Sequence, residues 1–227
     1  MAKPFSKTVI HNTDAKLSKQ VRQPLKTNQG IHKALTWRVV DIAVGAAVGV
    51  MSGVMFWVFD GLSYGLFPLM TLILPGSAAL LHALFYFPAT LGSLIVRKPG
   101  ASAYVLLVAS FVEVVLGTKY SVSLVVIALL PAAEAVFALF RYRRWTLGVT
   151  ILSALAIGIV YNFYLLFFYY QAFTFFSPRG IIGTICELLS AVAFAGFGSW
   201  GMYCALRKSG VLSRFASSHK EHNEENA

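Results

Sequence analysis

Six long apolar segments divide this 227-residue chain, and short polar or basic stretches separate them. A helix of about 17–25 apolar residues is long enough to cross the hydrocarbon core of a bilayer. Only 12% of the residues are charged, whereas about 25% are charged in soluble domains. We therefore predict an all-α integral membrane protein with six transmembrane helices, at Val39–Phe59, Ser77–Val96, Ala101–Gly117, Ser121–Phe140, Thr146–Phe168 and Gly180–Leu206.

The Lys and Arg residues predict the orientation of these helices. If the N-terminus is cytoplasmic, 17 of the 19 basic residues fall on the cytoplasmic side, and only Lys119 and Arg179 fall outside. Cytoplasmic loops of membrane proteins carry this excess of basic residues. We therefore expect both termini in the cytoplasm. The net charge of +10 then reflects membrane topology, and no nucleic acid partner is expected.

The polar ends and one unusual connection complete the predicted organisation. Residues 1–37 form a basic, flexible cytoplasmic segment, 38–212 the membrane domain, and 213–227 a disordered cytoplasmic tail. The first connection, Asp60–Gly76, is apolar but contains glycines and prolines, which argue against one regular helix. Two interpretations stay open: an extracellular lid, or the outer end of a longer, broken second helix.

Three glutamates lie alone within apolar segments: Glu113, Glu134 and Glu187. An ionisable side chain at the centre of a membrane helix costs about 2.5–3.5 kcal/mol, so each is a candidate functional residue. The predicted orientation places Glu113 and Glu187 in the outer half and Glu134 past the midplane. Structural alternatives remain for each: pairing of Glu113 with Lys119 or Arg179, a link between helices for Glu134, and an interfacial position for Glu187.

Other polar and aromatic side chains are expected near the outer glutamates, which is typical of a small-molecule pocket with apolar walls. Aromatic rings that would stack on a bound ring are Trp57, Phe85, Tyr86 and Tyr161. Polar candidates are His82 and Asn162, although a packed core histidine and an interhelical hydrogen bond are equally good interpretations. Asp41, at the inner end of the first segment, is expected to cap the helix or to pair with Arg38.

The first segment carries small residues at four-residue spacing, which allow another helix to approach closely. They are Ala43, Gly45, Ala46, Ala47 and Gly49. They predict either packing inside the bundle or a docking face for another membrane protein. The sequence contains no phosphate-binding loop of the Walker type and no His/Cys cluster with metal-ligand spacing, so we expect no cofactor and no enzymatic activity.

Several short motifs resemble the YkoE family. They are Arg97–Ala101, the pairs Val112-Glu113 and Leu116-Gly117, Ala133–Phe137, and the basic turn Arg141–Trp145. The resemblance covers roughly the second to the fifth segment, and more loosely the pattern of all six.

This resemblance implies a function. YkoE proteins are substrate-capturing S components of energy-coupling-factor (ECF) transporters, for thiamine or its hydroxymethylpyrimidine precursor, in the bacterial plasma membrane. It implies a substrate site in the outer half with Glu113 and Glu134, a lid at Asp60–Gly76, and docking of the first helix onto a T component driven by two ABC ATPases. The alternative is a stand-alone secondary transporter of a small heterocyclic solute, or a small membrane enzyme.

Overall fold

A computed structural model of the chain describes residues 36–118, 120–169 and 176–210. The chain divides into two units, Met1–Trp37 and Arg38–Ala227. The first unit lies almost entirely outside the described residues, as does the tail 213–227, so the predicted flexibility of both segments stays a prediction.

All regular structure in the described ranges is helical, which confirms the all-α prediction. The helices are α1 (Val39–Ile73), a 3-10 segment (Ser77–Phe85) leading into α2 (Phe87–Val96), α3 (Ala101–Val115), α4 (Tyr120–Leu139), α5 (Leu147–Tyr164) with a π-helical turn (Leu165–Tyr169), and α6 (Pro178–Ser190), which continues through a π-helical segment (Ala191–Gly198) into α7 (Ser199–Lys208).

Four of these continuous helices are long and apolar enough to cross a membrane: Val39–Ile73, Ser77–Val96, Leu147–Phe168 and Pro178–Lys208. The other two, Ala101–Val115 and the part of α4 at Leu129–Leu139, are apolar but shorter. Five of the six predicted segments thus coincide with helices to within a few residues. That all six cross the membrane, with both termini inside, stays a prediction.

The segment after Phe59 differs from both interpretations made for it. Asp60–Ile73 is neither a non-helical lid nor part of the second helix, because α1 continues unbroken for 35 residues. Gly61 and Gly65 have open space where a side chain would be, so neither marks a bend. Pro68 removes one backbone donor inside the helix, and apolar helices tolerate this loss when other groups compensate.

The residues Leu74-Pro75-Gly76, which follow directly, end α1 at Ile73. Leu74 is extended, with φ −145° and ψ 114°, because a following proline disfavours the helical conformation. Gly76 adopts a positive φ of 96°. A Cβ atom there would lie 2.8 Å from the carbonyl oxygen of Arg179, so this turn packs directly on the start of α6.

Helix α1 packs against α3 through the small residues of the predicted stripe. A Cβ atom at Gly49 would lie 2.7 Å from the side chain of Val108, and one at Gly53 would lie 2.5 Å from the carbonyl oxygen of Ala109. Gly45 lies in the same way against the ring of Tyr104. The glycines therefore allow close approach within this chain.

The main core lies where these helices meet in the middle of the bundle. Its largest fully buried side chains include Phe56, Tyr86, Leu106, Leu129 and Ile157. Alanines from α3, α4 and α5 separate them and let the helices approach. The core thus fixes the middle of α1 and of α5 relative to the start of α2.

The turn between α2 and α3 carries two buried basic side chains. Arg97, with a positive φ of 52°, donates from Nη2 to the hydroxyl of Tyr203 at 2.7 Å. Its guanidinium also lies 6.0 Å from the ring centroid of Trp145 and 5.4 Å from that of Tyr203. This arrangement ties the end of α2 to α7 and to the connection before α5.

Asp41 joins the same turn to α1. Its carboxylate accepts a hydrogen bond from the backbone N–H of Arg38 at 3.1 Å and lies 3.4 Å from the Arg38 guanidinium. These contacts confirm the predicted capping and pairing with Arg38. The ammonium of the buried Lys98 lies 3.8 Å from the same carboxylate, so Asp41 also links α1 to the α2–α3 turn.

Candidate functional site

A buried group of polar side chains joins the second helical segment to α6. Glu187, on α6, is 0% exposed. Its Oε2 lies 2.6 Å from Nδ1 of His82, and its Oε1 accepts a hydrogen bond from the hydroxyl of Tyr86 at 2.8 Å. Both carboxylate oxygens are therefore partnered, as burial of an ionisable group requires. The interfacial interpretation of Glu187 is wrong, because the side chain is fully buried between helices.

Aromatic rings surround this polar group. The ring of Tyr161, on α5, lies 5.2 Å from the His82 ring and 5.6 Å from the Tyr86 ring. Phe67, on α1, lies 5.7 Å from His82 on another side. Edge-to-face and tilted arrangements at these distances are favourable aromatic contacts. Although Asp60–Ile73 is helical, it therefore still covers the candidate site.

A cavity of about 40 Å³ lies beside His82. It is lined by Thr71, Gly76, Ala78, Ala79, His82, Asn162, Leu165, Leu166, Arg179, Gly180 and Gly183. A buried water molecule needs roughly 10–15 Å³, so the cavity has room for about three waters. A ligand larger than a few waters requires these walls to move apart, and the π-helical turn that carries Leu165 and Leu166 forms one of them.

Asn162 contributes the other predicted polar group of this cavity. Its Nδ2 donates to the hydroxyl of Thr184 at 3.0 Å, and that hydroxyl donates to the carbonyl of Gly180 at 2.8 Å. The predicted interhelical hydrogen bond is thus present, and the same residue lines the cavity. The two interpretations of Asn162 are compatible.

The structure does not bring Glu134 to this site. Its carboxylate accepts hydrogen bonds from the backbone N–H groups of Gly100 and Ala103 at 3.1 and 3.2 Å, and from the hydroxyl of Tyr142 at 2.8 Å. A carboxylate at a helix N-terminus satisfies donors that have no partner within the helix. Glu134 therefore caps α3, as its structural interpretation predicted. Burial and the bond to Glu134 raise the pKa of the Tyr142 hydroxyl.

Trp57 also lies away from His82. Its side chain is 47% exposed and lines a separate groove at the C-terminal end of α3. The neighbouring residue, Phe56, is the ring that enters the core, where it lies 6.0 Å from Phe85. The rotation of the helix was not predicted correctly, since Trp57 points about 100° away from Phe56 on a helix.

Glu113 is buried, as a pocket residue would be. It contacts neither the His82–Tyr86–Glu187 group nor the residues around Glu134. It is 1% exposed, and its Oε1 has no hydrogen-bond partner. It lies on α3 and is not among the residues that line the cavity beside His82. The structure therefore does not bring Glu113 to that cavity.

The predicted docking stripe divides between two faces of α1. Gly45 and Gly49 are buried against α3, so they do not form a free docking surface, and that part of the prediction is wrong. Ala43 and Ala47 are exposed, and Ala46 is partly exposed. Only the alanines therefore remain available to a partner.

Several residues of the site were not predicted to belong to it, among them Phe67, Thr71 and Arg179. Phe67 and Thr71 are four residues apart, which places them on one helical face, but the segment was not predicted to be a helix. Arg179 is one of the two basic residues on the predicted outer side. Its unusual position for a basic residue could have indicated that Arg179 lines the cavity.

Comparisons with known proteins agree with this architecture. A family model described as "ABC-type cobalt transport system, permease component" matches residues 40–160, which is just over half of the chain. The chain belongs to this family. Membership places it among membrane transport proteins, and its long apolar helices agree with a membrane location.

A relative and a solved structure each match about four fifths of this chain. The protein "Putative HMP/thiamine permease protein YkoE" of Bacillus subtilis (strain 168) is 23% identical over 184 residues, covering 80% of this chain and 90% of that protein. The structure described as "Crystal structure of an S-component of ECF transporter" superposes with a TM-score of 0.75 at 22% identity, covering 84% of this chain and 96% of the other.

These matches confirm the resemblance to YkoE and show an S-component fold. They also confirm that the chain is related to transport proteins rather than to enzymes.

Proposed function

We propose that this protein is the S component of an ECF importer, and that it captures thiamine or its hydroxymethylpyrimidine precursor from outside the cell. The observation that carries the proposal is the buried group of His82, Tyr86 and Glu187 beside a cavity in an S-component fold. The name of the B. subtilis relative supports the substrate class.

The side chains around the cavity suit an aminopyrimidine. The ring of Tyr161 packs against His82, which lines the cavity, and the amide of Asn162 both donates and accepts hydrogen bonds. The hydroxyl of Thr71 and the backbone of the Gly76 turn add polar groups to the wall. Glu187 acts indirectly, because its two oxygens hold His82 and Tyr86 in place. The cationic thiazolium of thiamine would gain cation–π attraction from the aromatic rings.

Substrate entry in this proposal requires movement of the cavity walls. The outer part of α1 and the π-helical turn Leu165–Tyr169 carry the side chains that restrict the cavity. Short π-helical segments within α-helices occur frequently at functional sites. Displacement of Leu165, Leu166 and the outer turns of α1 would give a heterocycle access from outside.

The proposed orientation has six membrane crossings and both termini in the cytoplasm of a bacterium. The distribution of Lys and Arg supports it. Single cysteines at Ser209 and Phe176, which is 80% exposed, in a chain whose native Cys186 and Cys204 are replaced, test it with a membrane-impermeant thiol reagent on intact cells. We expect labelling at position 176 only, and labelling at 209 would contradict the orientation.

The proposed partners are a T component and two ABC ATPases. The exposed alanines Ala43 and Ala47 would form the docking contact, because small side chains let a partner helix approach closely. Replacement of Ala47 by Trp is expected to abolish co-purification with the T component while substrate binding persists. Loss of both properties would instead indicate a fold defect.

Calorimetric titration of purified protein with thiamine and with hydroxymethylpyrimidine tests the substrate. We expect binding of at least one of them to weaken about tenfold in Thr71→Val and Asn162→Ala. The matched control is Thr150→Val. The hydroxyls of Thr71 and Thr150 each donate to the carbonyl four residues earlier, but Thr150 lies outside the cavity. Binding of neither compound, or equal losses in the control, would contradict the proposal. Uptake into vesicles containing this chain alone would favour a stand-alone transporter.

A further inference from the structure

A cluster of basic side chains lies outside the His82 cavity, in the turn between α4 and α5. Arg141, Arg143 and Arg144 are all exposed, and no hydrogen bond or ion pair joins their guanidinium groups to another described residue. The described carboxylates at this end of the bundle, Asp41 and Glu134, already have partners of their own. The three guanidinium groups are therefore available to an anion from outside the chain.

The backbone of this turn is held in one conformation by contacts beneath it. Arg141 and Tyr142 adopt positive φ values of 54° and 55°, which are uncommon for residues other than glycine. The Tyr142 hydroxyl donates to Glu134 at 2.8 Å, and the Trp145 ring stacks on Phe137 at a centroid distance of 5.2 Å. The tyrosine and the tryptophan therefore anchor the turn, and the arginines beside them stay exposed. Residues held in such backbone conformations are concentrated at functional sites.

The end of α7 brings two further basic side chains to the same place. The Arg97 guanidinium lies 6.0 Å from the Trp145 ring and 5.4 Å from the Tyr203 ring, so it joins the turn to α7. Arg207 and Lys208, which are exposed, follow Tyr203 by about one helical turn. The basic cluster therefore draws on two separate elements, whose charges add to one positive surface.

An exposed apolar side chain borders this positive surface. Leu139, the last residue of α4, is 76% exposed and comes shortly before Arg141. In a membrane-spanning chain such a side chain contacts acyl chains, whereas basic residues just beyond the helix end lie at the level of the headgroups. Guanidinium groups bind phosphate through two parallel hydrogen bonds. A phospholipid supplies both an acyl chain and a phosphate, whereas a free phosphate ion supplies only one of the two.

We propose that the basic turn Arg141–Trp145, together with Arg207 and Lys208 at the end of α7, binds the phosphodiester headgroup of an anionic phospholipid. Leu139 contacts the acyl chains of that lipid. An anionic lipid such as phosphatidylglycerol fits this surface better than phosphatidylcholine, because basic side chains attract a net negative headgroup and repel the choline cation. The site is independent of the substrate that the His82 cavity accepts.

Binding of phosphatidylglycerol to the purified protein in detergent tests the site, with native mass spectrometry to count bound lipids and thermal unfolding to follow their effect. We expect phosphatidylglycerol to stay bound and to raise the unfolding temperature, whereas phosphatidylcholine with the same acyl chains does neither. Each basic residue close to an anionic headgroup changes affinity about fivefold, so a triple variant with Arg141→Gln, Arg143→Gln and Arg144→Gln should bind phosphatidylglycerol about a hundredfold more weakly.

The matched control removes three positive charges elsewhere, in the N-terminal segment, through Lys16→Gln, Lys19→Gln and Arg22→Gln. Because net charge changes equally in both variants, this control should bind phosphatidylglycerol as the wild type does. Arg144→Gln alone, which should weaken binding about fivefold, replaces the triple variant if that protein fails to fold.

Three results would overturn the proposal. Equal weakening in the control would show an effect of net charge rather than a site. Equal stabilisation by inorganic phosphate and by phosphatidylglycerol would show a site for free anions. Loss of co-purification with the ATPases in the triple variant, with unchanged lipid binding, would show a protein contact instead. Affinity for hydroxymethylpyrimidine should stay unchanged in the triple variant, so a failure here is distinct from a failure at the His82 cavity.

Discussion

Removal of one hydroxyl group tests whether the buried Glu187 depends on its partners. Tyr86 is 0% exposed, and its hydroxyl donates to Glu187 Oε1 at 2.8 Å. In Tyr86→Phe the ring remains and keeps its contact with Tyr161, whose ring centroid lies 5.6 Å away. The substitution therefore removes the hydrogen bond while it conserves the packing.

The expected cost follows from the group that is left behind. A hydrogen bond to a charged group contributes about 1.5–3 kcal/mol, and a buried acceptor that loses its donor pays the full desolvation cost. We therefore expect Tyr86→Phe to lower the free energy of unfolding by about 2–3 kcal/mol. In a Glu187→Leu background no acceptor remains, and the same substitution should cost under about 0.5 kcal/mol.

Reversible unfolding of the detergent-solubilised protein, followed during titration with a denaturing detergent, measures all four members of this double-mutant cycle. Tyr64→Phe is the control, because Tyr64 is 70% exposed, and surface substitutions change stability by about 0.5 kcal/mol or less. A loss in Tyr86→Phe no larger than the control, or an equal loss in both backgrounds, would refute the assigned role of the hydrogen bond.

Three further substitutions test other contacts. Glu134→Ala should cost about 1–2 kcal/mol, because it removes a cap from α3, and titration should show unchanged substrate affinity; weakened binding would return Glu134 to the substrate site. Tyr203→Phe removes the hydrogen bond from Arg97 and should cost about 1.5–3 kcal/mol in the same unfolding assay, whereas an unchanged value would mean that ring stacking alone holds the guanidinium. Gly76→Ala places a methyl group 2.8 Å from the Arg179 carbonyl oxygen at a positive φ. We therefore expect lower thermal stability together with weaker substrate binding. Normal binding would show that the turn does not shape the cavity.

The sequence predicted most helices because apolar length and flanking turn residues are strong signals. Proline, glycine or basic residues stand at most ends of the second to sixth segments, and the helices begin and end close to them. The first helix was predicted 14 residues too short, since Phe59 and Ile73 are the predicted and observed ends. Glycine and proline weigh less in an apolar helix with open space at Gly61 and Gly65 than in a soluble one.

The site was predicted less completely because sequence gives depth along a helix better than rotation about it. His82, Tyr86 and Tyr161 were grouped in the prediction, and the structure brings their rings together. Trp57 was chosen where its neighbour Phe56 is the buried ring. Glu134 was included because a capping carboxylate and a ligand-binding carboxylate look alike in an apolar segment.

The length of α1 has a consequence for the membrane around it. Its 35 residues extend about 52 Å at 1.5 Å per residue, whereas the hydrocarbon layer is about 30 Å thick. To fit inside that layer the helix would need to tilt by roughly 55°, beyond the usual range of about 0–40°. Hydrophobic mismatch therefore acts on its C-terminal turns, where Leu69, Leu72 and Ile73 are exposed. Acyl-chain length thus becomes a determinant of where these turns rest, and with them Phe67 and the cover of the cavity.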